Sequence, residues 1–351
     1  MHIWHVGARG GYTPYDFPAG LDALFSITFF DEVGAAPSET YIGVEGRPAK
    51  VKTRFLPSIV WSDPGIKMFQ RTQCPYASGL KPFNKHYSNW YVFGNPDADY
   101  ILGSANHLIE LKSVNVTTLD SVSLSQNWPG PSILVTDAQG ASVEILAGAA
   151  HHLESDVDII IAEVEFLPFF DSTPSFATLV PLLLKHDLLF AKFMPETNPW
   201  ASPLRVPLGC RSAPFMGSAD AVFIRDPQVI LSSGVMERRL RYIISCLCLG
   251  FVDIASYVML QSSGWQKAVS DLAAEALELL TQFDVALREM PDTYPRAFGE
   301  NNSPLRPSEI AFLSGVTTPL EDFLNRWSFT DAAMDIRARR KKHMLILSKE
   351  E

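Results

Sequence analysis

Two sets of residues carry the types and spacings that chemistry needs. The first is a glycine-dense turn, Gly7-Ala8-Arg9-Gly10-Gly11, placed directly after the apolar run Ile3-Trp4-His5-Val6. Glycine takes positive φ and lets a backbone pass close to a ligand, and free amides at a following helix start face a phosphate or carboxylate. A tight turn without a ligand has the same signature, so the turn needs a partner. Asp31 is that partner. It ends the next strand pattern, about 20 residues on, where α/β nucleotide folds place an acid that accepts hydrogen bonds from ribose hydroxyls. Glu32 is a second candidate for the role. Asp63 ends a third strand pattern at the same sheet edge, facing a nucleobase, although before Pro64-Gly65 it also reads as an ordinary turn former. The second set is acidic: Asp137 closes the apolar run Ile133-Leu134-Val135-Thr136, and Glu163 and Glu165 stand two residues apart, hence on one strand face. Side by side and buried, two carboxylates raise one another's pKa unless a cation lies between them. Metal binding, substrate hydroxyls, a basic partner and a plain ion pair with Arg211 or Arg225 all fit that pattern. No metal site is predicted.

Positioning these residues requires strands that end at one edge. The spacing predicts strands over 3–6, 26–30, 52–62, 133–136, 158–166, 188–194 and 219–225, the last closing the sheet, with a helix over 140–150 and another over 176–186. Continuous apolar strands alternating with helices predict a mostly parallel α/β sheet with right-handed crossovers. Residues 67–70 read as a short strand and 109–116 as an antiparallel edge strand, followed by a helix capped by Thr118 or Asp120. The aromatic, proline-punctuated stretch 74–90 reads as an insertion over the site. Beyond Ile230 the patterns are helical, over 240–249, 254–261 and 267–288. Two domains are expected, 1–228 and a helical 229–351.

Composition narrows the function classes. The chain has 351 residues, 47% hydrophobic and 19% charged, with a net charge of −10. That balance opposes a nucleic-acid binder, whose affinity rests on Lys and Arg neutralising phosphates. The basic stretch Arg337–His343 reads as a solvated helix terminus. Cys74, Cys210, Cys246 and Cys248 match neither a disulfide framework nor a zinc site, so a reducing, cytoplasmic setting is expected. The chain opens on a core-like strand, so no secretory leader is expected. The apolar run 242–260 holds Gly250 and Asp253. It reads as two buried helices joined by a turn rather than a membrane span, because a mid-span acid costs about 2.5–3.5 kcal/mol. His151, His152 and His186 read as surface residues flanking helices.

Several blocks together resemble a known family. Asp137-Ala138-Gln139-Gly140-Ala141 with Glu144-Ile145-Leu146-Ala147-Gly148-Ala149, the turn Val6-Gly7-Ala8-Arg9-Gly10-Gly11, Thr117-Thr118-Leu119-Asp120, Glu163–Pro168 and Ala219–Asp226 are similar, in order, to blocks of FkbM-type methyltransferases. The match spans roughly residues 3–226. The resemblance implies a class I S-adenosylmethionine fold of seven strands, Rossmann-like, the last strand antiparallel. It implies O-methylation of a hydroxyl on a glycan or secondary metabolite. It also implies cofactor contacts from His5, Gly7, Ala8, Gly11, Asp31 and Asp63. Asp137, on the cofactor's side of the sheet, is then the first candidate for general base, with Glu163 and Glu165 beside it. The chain departs from the family at His5, where members carry an acid, and at Gln139 and Ser142, where many carry Glu; Ala77-Ser78-Gly79-Leu80 replaces a Ser-Ser-Leu block. A neutral imidazole lacks the fixed charge that holds the cofactor's ammonium.

Those departures sustain a second reading, a non-catalytic methyltransferase-like protein that scaffolds a partner through its C-terminal helices. A nicotinamide dehydrogenase is a third, but Gly7-x-Arg9-x-x-Tyr12 lacks the G-x-G-x-x-G spacing. Phe83, Tyr87 and Trp90, with Trp200, Arg205 and Arg211, are candidate walls for a sugar-like acceptor.

Overall fold

The computed structural model describes residues 1–7, 21–32, 51–88, 106–171, 175–194, 217–268, 273–290, 318–329 and 334. Ala8, Gly10, Gly11, Trp90, Trp200, Arg205, Arg211 and the stretch 337–343 lie outside them. The chain divides into two compact units, one of Met1–Asp16 with Phe25–Val229, the other of Phe17–Leu24 with Ile230–Glu351.

The first unit is an α/β structure on a seven-stranded, mostly parallel sheet. Its strands are β1 (His2–Val6), β2 (Ser26–Asp31), β3 (Lys52–Pro57), β7 (Ile133–Thr136), β8 (Ile159–Glu165), β9 (Leu188–Phe193) and β10 (Ser218–Arg225). Their order is β3-β2-β1-β7-β8-β10-β9. All neighbouring pairs from β3 to β8 are parallel, and β10 runs antiparallel to both β8 and β9. Thus β10 does not close the sheet; it inserts one place inside, and β9 forms the edge. A second sheet of three strands, β4 (Ile59–Val60), β5 (Gly65–Thr72) and β6 (Leu108–Thr117), has the order β4-β6-β5.

This small sheet corrects two expectations. The predicted strand over 52–62 is two strands in different sheets, because the β2 ladder ends at Asp31 opposite Pro57 and the chain turns at Ser58 before pairing with β6. The predicted edge strand over 109–116 is the centre of its sheet, flanked by β4 on one side and β5 on the other.

Helices α1 (Leu119–Gln126), α2 (Ser142–Ala147), α3 (Ala150–Ser155) and α4 (Ser175–Leu184) belong to the same unit. Thr118 caps α1 through Ser121 N–H, whereas Asp120 accepts from the amides of His151 and His152 at the start of α3. The helix expected over 140–150 breaks in two at Gly148, where a Cβ would lie 2.1 Å from the carbonyl oxygen of Trp61. The alternation of β8 divides its residues cleanly. Ile160, Ala162 and Val164 join Trp4, Val6, Leu134, Ile145 and Phe223 in one core, and Glu163 and Glu165 point to the other face.

The second unit is helical among its described residues: α6 (Met236–Cys248), α7 (Val252–Leu260), α8 (Ala274–Arg288) and α9 (Pro319–Arg326), with short turns between, while the brief α5 (Pro227–Ser232) bridges the boundary in sequence. Gly250, at φ 78°, makes the turn between α6 and α7 that the apolar run predicted. Among the described residues no helix is long and apolar enough to cross a membrane. Cys74, Cys246 and Cys248 are free thiols.

Candidate functional site

The strand order reverses beside β1. From β1 the chain builds outward through β2 and β3, then returns to place β7 on the other side. Open α/β sheets bind ligands in the crevice at the carboxyl ends of the strands flanking such a reversal. A cleft lies there, lined by Gly7 after β1, Asp31 ending β2, and Asp137, Ala138 and Gln139 after β7. Val6, Phe30, Val60, Phe69 and Ile145 form its apolar floor. The turn after β5 supplies Pro75, Tyr76, Ser78, Gly79 and Leu80 to the rim, so the stretch read as an insertion over the site does reach it. The cleft is small and partly open to solvent.

Gly7 shows why the opening turn needs glycine. Its φ is +85°, and a Cβ there would lie 1.6 Å from the carbonyl oxygen of Asp137. The amide of Gly7 donates to Phe30 and that of Asp137 to Val6, at 3.0 and 2.9 Å, so the two loops leave the sheet in contact. Two residues after Asp137 the backbone turns left-handed, with φ 49° at Gln139 and 80° at Gly140. A Cβ on Gly140 would strike the ring of Phe170 at 2.3 Å.

The predicted cofactor residues divide into three groups. Gly7 and Asp31 line the cleft, and Asp31 also takes the amide of Glu32 at 2.6 Å. Glu32 turns away into a 2.9 Å ion pair with Lys112 on β6. Asp63 sits in the exposed turn between β4 and β5, bonded to Ser62 Oγ, and does not line the cleft. The third strand ends too early to deliver it to the sheet edge. His5 is fully buried on the sheet face opposite Trp4 and Val6, its ring 5.6 Å from that of Phe29, and it too is absent from the lining. Burial drops its pKa to about 3, so it is neutral at pH 7.

The acidic set is brought together. Thr136 pairs with Ala162 across β7 and β8, which puts Asp137 beside Glu163, and Asp220 on β10 pairs with Glu163 from the other side. Glu165 lies one step further along β8. Burial raises the pKa of Asp137, opposed by a hydrogen bond from Glu163. Burial, joined by the charges of Asp137, Glu165 and Asp220, pushes Glu163 well above the carboxylate range. Glu163 is therefore the donor of that hydrogen bond and Asp137 its acceptor. Burial pushes Glu165 up to about 7 against the help of Ser175 and Lys81, and Asp220 up to about 6. A half-buried carboxylate facing a cleft with its pKa raised is the environment of a general base.

Other expectations are corrected here. Arg225 does not meet Glu163 or Glu165. Because β10 is antiparallel to β8, Arg225 lies at the far end of the sheet, where its buried guanidinium donates to the carbonyls of His186, Leu153 and Val157. His152 is not at the surface but 2% exposed, edge-on to Trp4 and 2.8 Å from Asp156, while His151 is exposed. Ser142 holds neighbouring elements together. It accepts from Thr136 Oγ1 and donates to the Glu163 carbonyl, tying β7, α2 and β8 to one another. Sequence reasoning missed Asp220 as a member of the acidic set and missed Lys81, whose charge acts on Glu165 and whose Nζ lies 2.7 Å from Glu144. Among the described residues no group of three or more His, Cys, Asp or Glu is arranged to hold a metal ion. No protein-family model, curated protein or solved structure matches the chain.

Proposed function

We propose that the protein is an S-adenosylmethionine-dependent methyltransferase acting on a small-molecule or glycan acceptor, with a hydroxyl as the methyl-accepting group. The observation carrying this reading is the cleft at the strand-order reversal, with Gly7 pressed against Asp137 and Asp31 at the end of β2. Asp31 would take the ribose hydroxyls, Val60 and Phe69 would face the apolar part of the nucleoside, and the Gly7 and Ala138 backbones would approach the amino-acid end. The cofactor supplies an electrophilic methyl group. Asp137 receives the proton that the acceptor hydroxyl gives up as its oxygen is methylated. Positioning contributes much of such a rate, and a base near the working pH contributes more. The family resemblance and the seven-stranded sheet with its antiparallel penultimate strand agree with this reading.

The residues His5, Gln139 and Ser142 favour a second reading, a methyltransferase-like shell that binds a partner instead. Calorimetric titration with S-adenosylmethionine and S-adenosylhomocysteine separates the two. Binding that is weakened tenfold or more in Asp31→Ala is expected; no binding at millimolar ligand sinks the enzyme reading. Methyl transfer lost in Asp137→Asn, with cofactor affinity kept, is the expected signature of the base.

A further inference from the structure

The carboxyl ends of β7 and β8, with the adjoining amino end of β10, hold more acceptors than donors. Asp137, Glu163 and Asp220 form one row across the three strands, and Glu165 stands next to it. Asp137 takes the hydrogen bond of Glu163, and Glu165 Oε2 takes that of Ser175. Glu163 Oε2 and Glu165 Oε1 are buried with no hydrogen-bond partner, and Glu165 as a whole is 4% exposed. Buried oxygens without donors carry the full cost of lost hydration. Among the described residues Lys81, whose charge acts on Glu165, is held at 2.7 Å by Glu144. The row opens to the cleft at Asp137. A compact organic cation complements buried acceptors of this kind. A hydroxyl brings one donor and no charge; a primary ammonium brings three donors and a full positive charge in a compact group.

We propose that this acidic row is a recognition subsite for a primary ammonium group, and that the acceptor is therefore an amine-bearing small molecule such as an amino sugar. The word acceptor rests on the methyltransferase reading; the ammonium subsite does not. The amine docks against Asp137, Glu163 and Glu165 and draws the shared protons out of the row, while the group to be methylated lies on the cleft side.

The test is calorimetry on the full chain with glucosamine, spermidine and, as the neutral match, glucose, each with and without S-adenosylhomocysteine. Glucosamine is expected to bind about tenfold or more tighter than glucose, the worth of one charge-assisted hydrogen bond. Binding at pH 7 should release protons, read as heats that differ between phosphate and Tris buffers. Glu163→Gln and Glu165→Gln should each cut the preference for the amine. Equal affinity for glucosamine and glucose, or no binding of either amine, overturns the proposal. S-adenosylhomocysteine binding without amine preference removes the subsite and leaves the methyltransferase reading standing; amine preference without S-adenosylhomocysteine binding does the reverse.

Discussion

Replacing Glu165 by glutamine isolates the electrostatic strain of the acidic row. The pKa of Glu165 rises from 4.5 to about 7 on folding, chiefly through burial. Between those values the folded chain binds more protons than the unfolded one, so stability falls as pH rises. The contribution is fully present below the unfolded value and lost as pH climbs through the folded one. The difference of about 2.5 units, at about 1.4 kcal/mol each, amounts to about 3 kcal/mol by pH 8. That is an upper figure, because Asp137 and Glu163 titrate in the same field. Gln keeps the shape and can accept from Ser175 but cannot ionise. Glu165→Gln should therefore match the parent near pH 4 and exceed it by up to about 3 kcal/mol at pH 8. A chain of two units does not unfold in one step, so the local measure is hydrogen exchange of the β8 peptide, variant against parent at each pH. A difference that stays flat from pH 4.5 to 8, or grows toward acid, would refute the reasoning.

Four further outcomes are expected. Gly7→Ala must accept both a positive φ and a Cβ inside the Asp137 carbonyl; a loss above about 2 kcal/mol and of S-adenosylhomocysteine binding follows, and an unchanged melting temperature would remove the close approach. Arg225→Met strips donors from the buried carbonyls of Leu153 and Val157 and the half-buried one of His186 and should cost about 2–6 kcal/mol in denaturant titration without altering cofactor affinity. His5→Phe should make the first unit less acid-sensitive. The folded pKa of about 3 lies below the unfolded 6.5, so His5 withdraws stability as pH falls through that window, opposite in sign to Glu165, and melting at pH 4 against pH 7 reads it. Tyr76 on the cleft rim is 61% exposed, and hydrogen exchange over 73–80 should change when S-adenosylhomocysteine binds; no change there would mean the rim turn does not move.

The parts of the fold legible in the sequence were those specified locally. The run 133–136 is a strand at the bounds its apolar continuity predicts, and Thr118 is one of the two caps that residue type offered. What depended on distant partners was not legible. Alternation over 109–116 cannot distinguish a central strand from an edge, because β4 and β5 approach from elsewhere in the chain. His152 looks like a surface residue until the break at Gly148 turns α3 and brings its ring to Trp4. Within the site, Glu163 and Glu165 were visible as a pair from their spacing of two. Asp220 joined them only through the register of an antiparallel strand, and that same reversal carried Arg225 away. Asp63 lies outside the cleft lining because the third strand stops at Pro57.

The pairing of β1 with β7 joins residues about 130 positions apart: Ser132 N–H donates to the carbonyl of His2, and Ile3 pairs with Ile133. Closing a flexible loop of that length costs about 4 kcal/mol in chain entropy, and the three-stranded sheet is folded inside the span. Chain entropy therefore opposes the cleft until that closure is made. A nascent chain that has not yet released β7 has no second wall for Gly7 to meet, and any ligand of the cleft selects for chains in which this long-range closure is complete.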